Sequence, residues 1–186
     1  MVEELLSYLK DPRRDSFWQK YTNQILEYLQ TELTNCYQGE VTLRQLNLIG
    51  KILPSYKYLL NFKLKGVLLD RIFNLLRDRE ITKVPSRSFC EILSSIRGQN
   101  LGWRFFIDSI GKLYKAGETD DLFFLKALSV VQGHLRTMHT FDISLNKLLL
   151  EQLLLPHYDN PSTVVRKQVV INLAELKLAM EQRMET

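Results

Sequence analysis

The sequence lacks the glycine-rich motifs that bind phosphates or present a nucleophile. Before Gly111-Lys112, Phe106 stands where a phosphate-binding loop has its first glycine, and Leu113 follows in place of Ser or Thr. Neither the Gly-x-Ser-x-Gly turn of serine hydrolases nor the Gly-x-Gly-x-x-Gly turn of dinucleotide-binding folds occurs. The sequence therefore does not predict a nucleotide-binding or hydrolase site.

The three histidines show no metal-ligand or catalytic spacing. His134 and His139 are five residues apart, so they do not share a helix face as zinc ligands four apart would. His157 lies close to Asp159, which would suit a general base and its orienting carboxylate, but no nucleophile is indicated nearby. We therefore interpret His157 as a histidine at the end of a helix.

The two cysteines indicate a reducing compartment rather than a reactive centre. Cys36 and Cys90 are not arranged in any redox or metal-binding motif, and two cysteines do not make a disulfide framework. Cys90 beside Glu91 is better explained as a core thiol than as a nucleophile. We predict a protein that is not an enzyme and needs no metal or cofactor.

Length and composition predict one globular domain covering residues 1–186. The chain is 45% apolar and 25% charged, which is ordinary for a soluble protein. No segment approaches the roughly 20 apolar residues needed to span a bilayer. Val2-Glu3-Glu4 does not resemble the start of a secretory signal. We expect a location in the cytoplasm or nucleus and no membrane partner.

The positive charge is concentrated in the middle of the chain. Val41–Gly117 contains 14 Lys/Arg and 5 Asp/Glu, a net charge of +9, within a chain of net charge +4. Such a segment could attract an acidic protein segment, a tubulin tail or a nucleic acid. A solvated, lysine-rich helical surface explains it equally well.

Apolar residues recur at intervals of three or four along nearly the whole chain, which predicts an all-α fold. The capping pairs Ser16 with Gln19 and Thr42 with Gln45 match helix starts. After a first short helix near Val2–Lys10, we predict four helix pairs. They are Ser16–Tyr37 with Thr42–Leu53, Tyr56–Arg79 with Ser86–Arg97, Leu101–Lys115 with Thr119–His139, and Ser144–His157 with Ser162–Arg183.

A basic residue recurs near the start of each second helix. Arg44, Arg87, Lys126 and Arg166 are separated by 43, 39 and 40 positions, close to the ~40–47-residue period of HEAT and armadillo repeats. This spacing predicts an α-solenoid of about four HEAT-type hairpins with right-handed stacking. An unrepeated helical bundle is the alternative.

One enzymatic alternative follows from the same architecture. Some DNA glycosylases are HEAT-like solenoids that place aromatic and carboxylate residues on a basic concave surface. Trp103 and Asp108, in the basic middle, could imitate that arrangement, although the apolar spacing around Trp103 favours a place in the core. We do not expect nucleic acid as a partner, and steeply salt-dependent DNA binding would indicate otherwise.

Both ends of the chain resemble one known domain. Leu153–Asn160 (LLLPHYDN), followed by Ser162–Lys167 (STVVRK) and an apolar helix, is similar to the final HEAT repeat of the CLASP family of microtubule-associated proteins. Glu4–Leu9 (ELLSYL), followed by Ser16-Phe17-Trp18 and a leucine-rich helix, resembles the start of the same C-terminal, TOG-like domain. The middle of the chain diverges, as expected of a fungal member.

The resemblance implies a fragment of a larger protein that stabilises microtubules and acts at the spindle and kinetochore. The family's C-terminal domain looks like an adaptor that docks plus-end, cortical or kinetochore proteins and aids dimerisation of the parent protein. The implied location is the cytoplasm and cytoskeleton, with the nucleus, spindle and kinetochore in a fungal cell. Direct binding of tubulin, as in true TOG domains, is the alternative.

The resemblance also suggests which residues to examine. TOG domains meet tubulin with an aromatic residue in the first loop and basic residues in later loops. The corresponding loops here have Tyr37 in place of the expected tryptophan, no basic residue between Tyr158 and Ser162, and the partner-binding candidates Arg77, Arg79, Lys83 and Lys115. In HEAT repeats, residues of the Asp159 and Arg166 type organise the turn between helices, so we predict a structural role for both.

Overall fold

A computed structural model describes Gln24 and residues 27–54, 62–96, 100–137 and 142–181. All regular secondary structure in these residues is helical, which confirms the predicted all-α fold. Val2–Lys10, the Ser16–Gln19 capping pair and His139 lie outside them. The helices are α1 (27–35), α2 (Gly39–Ile52), α3 (Phe62–Arg77), α4 (Ser86–Ser95), α5 (Leu101–Lys115), α6 (Asp121–Thr137), α7 (Ile143–Leu149, continued by a π-helical turn over Leu150–Leu154 and a 3₁₀ turn over Leu155–His157) and α8 (Thr163–Glu181).

The predicted capping pair at the start of α2 is wrong. The backbone N–H of Thr42 donates to the carbonyl oxygen of Gln38 at 2.8 Å, so Thr42 is already inside the helix. Its side chain is buried, and its hydroxyl has no hydrogen-bond partner among the described residues. The helix starts at Gly39, after Gln38, which provides no side-chain cap. Thr42 and Gln45 are buried helix residues rather than a cap.

Other helix ends follow the expected chemistry. Gly117 has φ of +71°, its N–H donates to the carbonyl of Tyr114, and the next N–H donates to the carbonyl of Leu113. This is the Schellman arrangement, in which a left-handed glycine satisfies the last carbonyls of a helix. The carboxylates of Asp120 and Asp142 accept from backbone N–H groups three residues later, at 3.0 Å each, and cap α6 and α7.

The even-numbered helices form a continuous row. Helix α2 packs on α4, α4 packs on α6, and α6 packs on α8. Helices α3, α5 and α7 lie against this row, where α3 contacts α4 and α6, and α5 contacts α6 and α7. The apolar core fills the space between these helices, and its largest fully buried side chains are those of Trp103, Phe89, Phe106, Phe123, Phe124, Leu33, Leu46, Leu68, Ile72 and Leu75.

Polar contacts between the even-numbered helices recur at sequence separations of about 40 residues. The Ser88 hydroxyl donates to the Asn47 side-chain oxygen at 2.7 Å, 41 residues away. The Cys90 thiol donates to the Val130 carbonyl, 40 residues away, and the Asn172 amide donates to the Leu128 carbonyl, 44 residues away. These hydrogen bonds therefore join α2 to α4, α4 to α6 and α6 to α8 at similar sequence separations.

Small residues let the helices of this row approach closely. A Cβ atom at Gly50 would overlap the carbonyl oxygen and Cβ of Ser88. One at Gly133 would lie 3.0 Å from the Ser86 Cβ and 3.3 Å from the Cys90 sulfur. These glycines stabilise the packing although glycine disfavours a helix.

The predicted apolar stripe of α8 is only partly buried. Val165, Val169 and Leu176 are in the core, as expected from their spacing. Leu173 is half-buried against the core, and Met180 is exposed. The buried stripe therefore does not extend to the end of α8. This helix is the last one described, and no later helix among the described residues covers its outer face.

We predict opposite effects of alanine at two mid-helix glycines. Gly50→Ala should lower the free energy of unfolding by about 1–3 kcal/mol, because its methyl group meets the backbone of α4. Gly66→Ala is the matched control, because a Cβ there meets no atom within 4 Å. It should raise stability by up to about 1 kcal/mol, the difference in helix propensity. Urea denaturation of both variants measures this, and equal effects would contradict the described packing.

Candidate functional site

Polar side chains join the turns within successive helix pairs. Tyr37, after α1, donates its hydroxyl proton to the Asp78 carboxylate after α3 at 3.2 Å. The Arg79 guanidinium lies 3.1 Å from the Asp120 carboxylate, which precedes α6. The Asn160 amide, after α7, donates to the Tyr114 hydroxyl near the end of α5 at 3.0 Å. The segments 36–38, 78–85, 116–120 and 158–162 therefore lie side by side, and together with the adjoining helix ends we call them the turn edge.

Tyr37 is held in place on this edge. The guanidinium carbon of Arg71 lies 5.2 Å from the centre of its ring, and the same guanidinium donates to the carbonyls of Leu33 and Thr34 at the end of α1. Partial burial, and then the Asp78 carboxylate, raise the pKa of Tyr37 to about 12. Tyr37 remains 38% exposed and is accessible to a partner.

The predicted basic residues lie on or beside the turn edge. Arg77 and Lys115 end α3 and α5, and Lys83 lies in the turn between α3 and α4. All three are exposed, and none forms an ion pair with another described residue. Arg79 is 81% exposed, but it is paired with Asp120. The free positive charge therefore comes from Arg77, Lys83 and Lys115.

The turn edge also carries acidic residues that were not considered in the sequence analysis. Asp78 accepts from Tyr37 and from the backbone N–H of Glu80, while Asp120 pairs with Arg79 and caps α6. Asp78 and Asp120 are 42 positions apart, which is close to the spacing of the basic residues. A search for acidic residues at that spacing would have identified both. The edge has mixed charge rather than a uniformly basic surface.

In the last turn, the contacts predicted for Asp159 are made by its neighbour Asn160. The Asn160 side-chain oxygen accepts from the N–H of Ser162 at 2.9 Å, and its amide donates to Tyr114. Asp159 is exposed and makes no hydrogen bond or ion pair with the described residues. The Tyr114 hydroxyl donates its one proton to Asp121 at 2.7 Å, so it can only accept from residue 160, which an amide permits and a carboxylate does not.

Arg166 organises the same turn. Its guanidinium donates to the carbonyls of Asn160 and Pro161 at 2.6 and 3.0 Å, and to the Thr163 hydroxyl at 3.0 Å. The four basic residues used for the repeat spacing nevertheless have different roles, because Arg44 and Arg87 are exposed. Their period reflects the helix register rather than one shared contact.

Lys126 is the buried member of that series. Its ammonium group donates to the carbonyls of Leu75 and Asp78 at 3.0 and 2.7 Å, and so satisfies the end of α3. Burial lowers the pKa of Lys126, while Asp78 and Asp120 oppose this shift. The side chain anchors the second turn to α6.

Trp103 and Asp108 do not form the combined site that a lesion-recognising enzyme would need. The Trp103 ring is fully buried, and its N–H donates to the Ser94 hydroxyl at 3.0 Å. Asp108 pairs on the surface with Lys112 at 2.7 Å. The two side chains thus lie in different environments, as the spacing around Trp103 indicated.

Cys90 and His157 also lack an activating environment. Burial, with a smaller effect of Glu91, raises the pKa of the Cys90 thiol to about 12, so the thiolate is strongly disfavoured. His157 packs against the rings of Tyr114 and Phe124, with centroids at 5.1 and 4.7 Å. Burial lowers the His157 pKa. Both side chains act as packing groups.

Among the described residues, no group of three or more His, Cys, Asp or Glu is arranged to hold a metal ion. No helix in this part of the chain combines the length and apolar character needed to cross a bilayer. Comparisons of the chain with protein-family models, curated proteins and solved structures gave no significant match.

We predict that Lys126 contributes to stability and that its counterpart on α4 does not. Lys126→Met should lower the free energy of unfolding by about 1–3 kcal/mol, because two carbonyls at the end of α3 lose their donor. Arg87→Met is the matched control and should change it by less than about 0.5 kcal/mol, because Arg87 is exposed. Thermal and urea unfolding measure both, and a neutral Lys126 variant would disprove the anchoring role.

A second stability prediction concerns His134, whose ring centroid lies 4.1 Å from the ring centroid of Trp103. Burial lowers its pKa to about 4 from the usual 6.5. The unfolded chain therefore takes up a proton before the folded chain does, and stability falls as the pH drops from about 6.5 towards 4. The full effect is about 3 kcal/mol.

His134→Phe should keep the stacking and remove most of this pH dependence. Urea denaturation at pH 7 and pH 5 measures it. His157, whose pKa burial also lowers, accounts for part of the slope that remains. An equal loss of stability in the variant and the natural chain between these pH values would contradict the neutral, buried state of His134.

Proposed function

We propose that this chain is a right-handed α-solenoid of four HEAT-type hairpins, formed by α1 with α2, α3 with α4, α5 with α6, and α7 with α8. The consecutive packing of the even-numbered helices supports this arrangement. So do the hydrogen bonds between pairs at separations of 40 to 44 residues, which match the HEAT period. A bundle without repeats has no reason to keep such similar separations throughout.

The function that we propose is non-catalytic docking of proteins by the TOG-like C-terminal domain of a CLASP-like microtubule-associated protein. The observation that carries it is the turn edge, where Arg77, Lys83 and Lys115 are exposed and form no ion pair with a described residue. The partly exposed Tyr37 lies on the same edge. The partners would be kinetochore, cortical or plus-end adaptors. The domain would thereby support microtubule stabilisation at the spindle.

The mixed charge of the edge favours a protein partner with its own pattern of charges. Acidic groups of the partner would meet Arg77, Lys83 and Lys115, while Asp78 and Asp120 would repel a uniformly acidic surface. The charged contacts would speed association and weaken with rising salt. Selectivity would come from the order of charges along the edge.

Direct binding of tubulin is the second candidate, and the exposed Tyr37 on the first turn favours it. Two features weigh against it. The Tyr37 hydroxyl is already bonded to Asp78, and the fourth turn presents Asp159 where a basic residue would be expected. Size-exclusion chromatography of the domain with free tubulin distinguishes the candidates, because co-elution would favour tubulin binding.

Charge reversal on the turn edge tests the docking proposal. In dividing fungal cells, a fluorescent fusion of this chain should concentrate at kinetochores or microtubule ends. The triple variant Arg77→Glu, Lys83→Glu and Lys115→Glu should lose this localisation. Its helical circular-dichroism signal and melting temperature should hardly change, because exposed substitutions have small effects on stability.

The matched control reverses exposed basic residues of α2 that lie away from the turns, as Arg44→Glu with Lys51→Glu. This control should localise normally. Normal localisation of the edge variant together with loss in the control would move the docking surface to the face of the even-numbered helices. A natural chain that never concentrates at these structures would contradict the proposed function itself.

A further inference from the structure

Helices α3 and α5 leave a groove between them. They meet through Phe73, whose ring lies 6.1 Å from that of Phe105 and 5.8 Å from that of Phe106. Towards the starts of both helices the groove has a volume of about 340 Å³ and an almost wholly apolar lining. That lining includes Phe62, Lys65, Gly66, Leu69, Leu101 and Phe105.

A second, more polar stretch of the groove lies on the other side of this contact. It has a volume of about 410 Å³ and includes Asp70, Asn74, Arg77 and Ser109 in its lining. Phe105 borders both stretches. The groove therefore follows most of α3, which has 16 residues and is about 24 Å long.

The apolar stretch is exposed in a way that the fold itself does not require. Leu101 is 51% exposed and Phe105 is 54% exposed. Gly66 lies inside α3, where glycine costs about 1 kcal/mol relative to alanine. Unlike Gly50 and Gly133, it has no neighbour within 4 Å of the position that a Cβ would occupy. No contact among the described residues therefore accounts for glycine at this point of the groove.

We propose that this groove binds an acidic amphipathic helix of a partner protein. The binding mode is a helix laid along a groove with apolar residues on one face. The absent side chain of Gly66 would let the backbone of the bound helix approach α3, and its apolar residues would cover Leu69, Leu101 and Phe105.

The charge of the proposed helix follows from the groove walls. Among the residues that line the groove, Lys65, Asp70 and Arg77 are charged, and the single carboxylate lies between the two cations along α3. Lys65 and Arg77 line the groove towards its two ends, and neither forms an ion pair with a described residue. Acidic residues flanking the apolar face of the bound helix would therefore meet positive charge at both ends.

This inference shares protein docking with the proposed function but uses the α3–α5 groove, which shares only Arg77 with the residues tested on the turn edge. The probe is a display library of 16-residue helical peptides with leucine fixed at positions 3, 7, 10 and 14 and all other positions random. Selection on the immobilised chain should enrich Asp and Glu over Lys and Arg. The most enriched peptide, called the selected peptide or winner below, is then labelled with fluorescein, and its affinity is measured by fluorescence anisotropy.

Substitutions in the groove should weaken the winner without unfolding the domain. Gly66→Phe fills the groove and should lower affinity at least tenfold. Gly66→Ala should lower it several-fold while leaving the melting temperature unchanged or higher. Phe105→Glu should also abolish binding, and circular dichroism establishes that each variant is folded.

The matched control is Ile143→Glu, which changes another exposed apolar residue at the start of α7 and should bind as the natural chain does. Reversal of Lys83 and Lys115 should also leave peptide affinity unchanged, which separates this inference from the turn edge. The inference is overturned if selection yields no binder or peptides rich in Lys and Arg. It is also overturned if the winner binds folded Gly66→Phe with unchanged affinity.

Discussion

The close approach of the even-numbered helices is the constraint on which the rest of the structure depends. Gly50 and Gly133 remove the side chains that would separate α2, α4 and α6, and hydrogen bonds such as that between Ser88 and Asn47 fix their register. On the other side of the core, the large rings of Phe73 and Phe105 stand between α3 and α5. The groove extends to either side of this aromatic contact.

The same register aligns the turns and determines which of their charges are free. Because each turn lies beside the next, Asp78 accepts a hydrogen bond from Tyr37 of the preceding turn. In the same way, Asp120 forms an ion pair with Arg79 of the turn before it. Arg79 thereby loses part of its attraction for a partner, while Lys83, exposed in the same turn, keeps its own. A surface that is strongly basic in sequence thus becomes a patterned one, which suits selective protein docking better than general attraction to polyanions.

The interior uses polar side chains to hold this arrangement rather than for chemistry. Lys126 satisfies the end of α3, and the Asn172 amide donates to the Leu128 carbonyl at 2.9 Å. Burial lowers the pKa of His134, which stacks on Trp103, to about 4 and raises the pKa of the Cys90 thiol to about 12, so both favour the uncharged form. Each of these groups costs free energy to bury and is compatible with the fold because it is bonded, stacked or uncharged.

The sequence by itself determined the helices, because apolar spacing follows from the geometry of the α-helix and needs no knowledge of neighbours. It located the described helices and the buried place of Trp103. It could not determine whether Thr42 caps α2 or lies inside it, since both uses have the same local pattern.

Only the tertiary structure decided that Asn160 rather than Asp159 joins the last two turns, that Asp120 neutralises Arg79, and that α3 and α5 stay apart at Gly66. Each of these depends on a partner about 40 residues away, and periodicity along one helix carries no information about that distance.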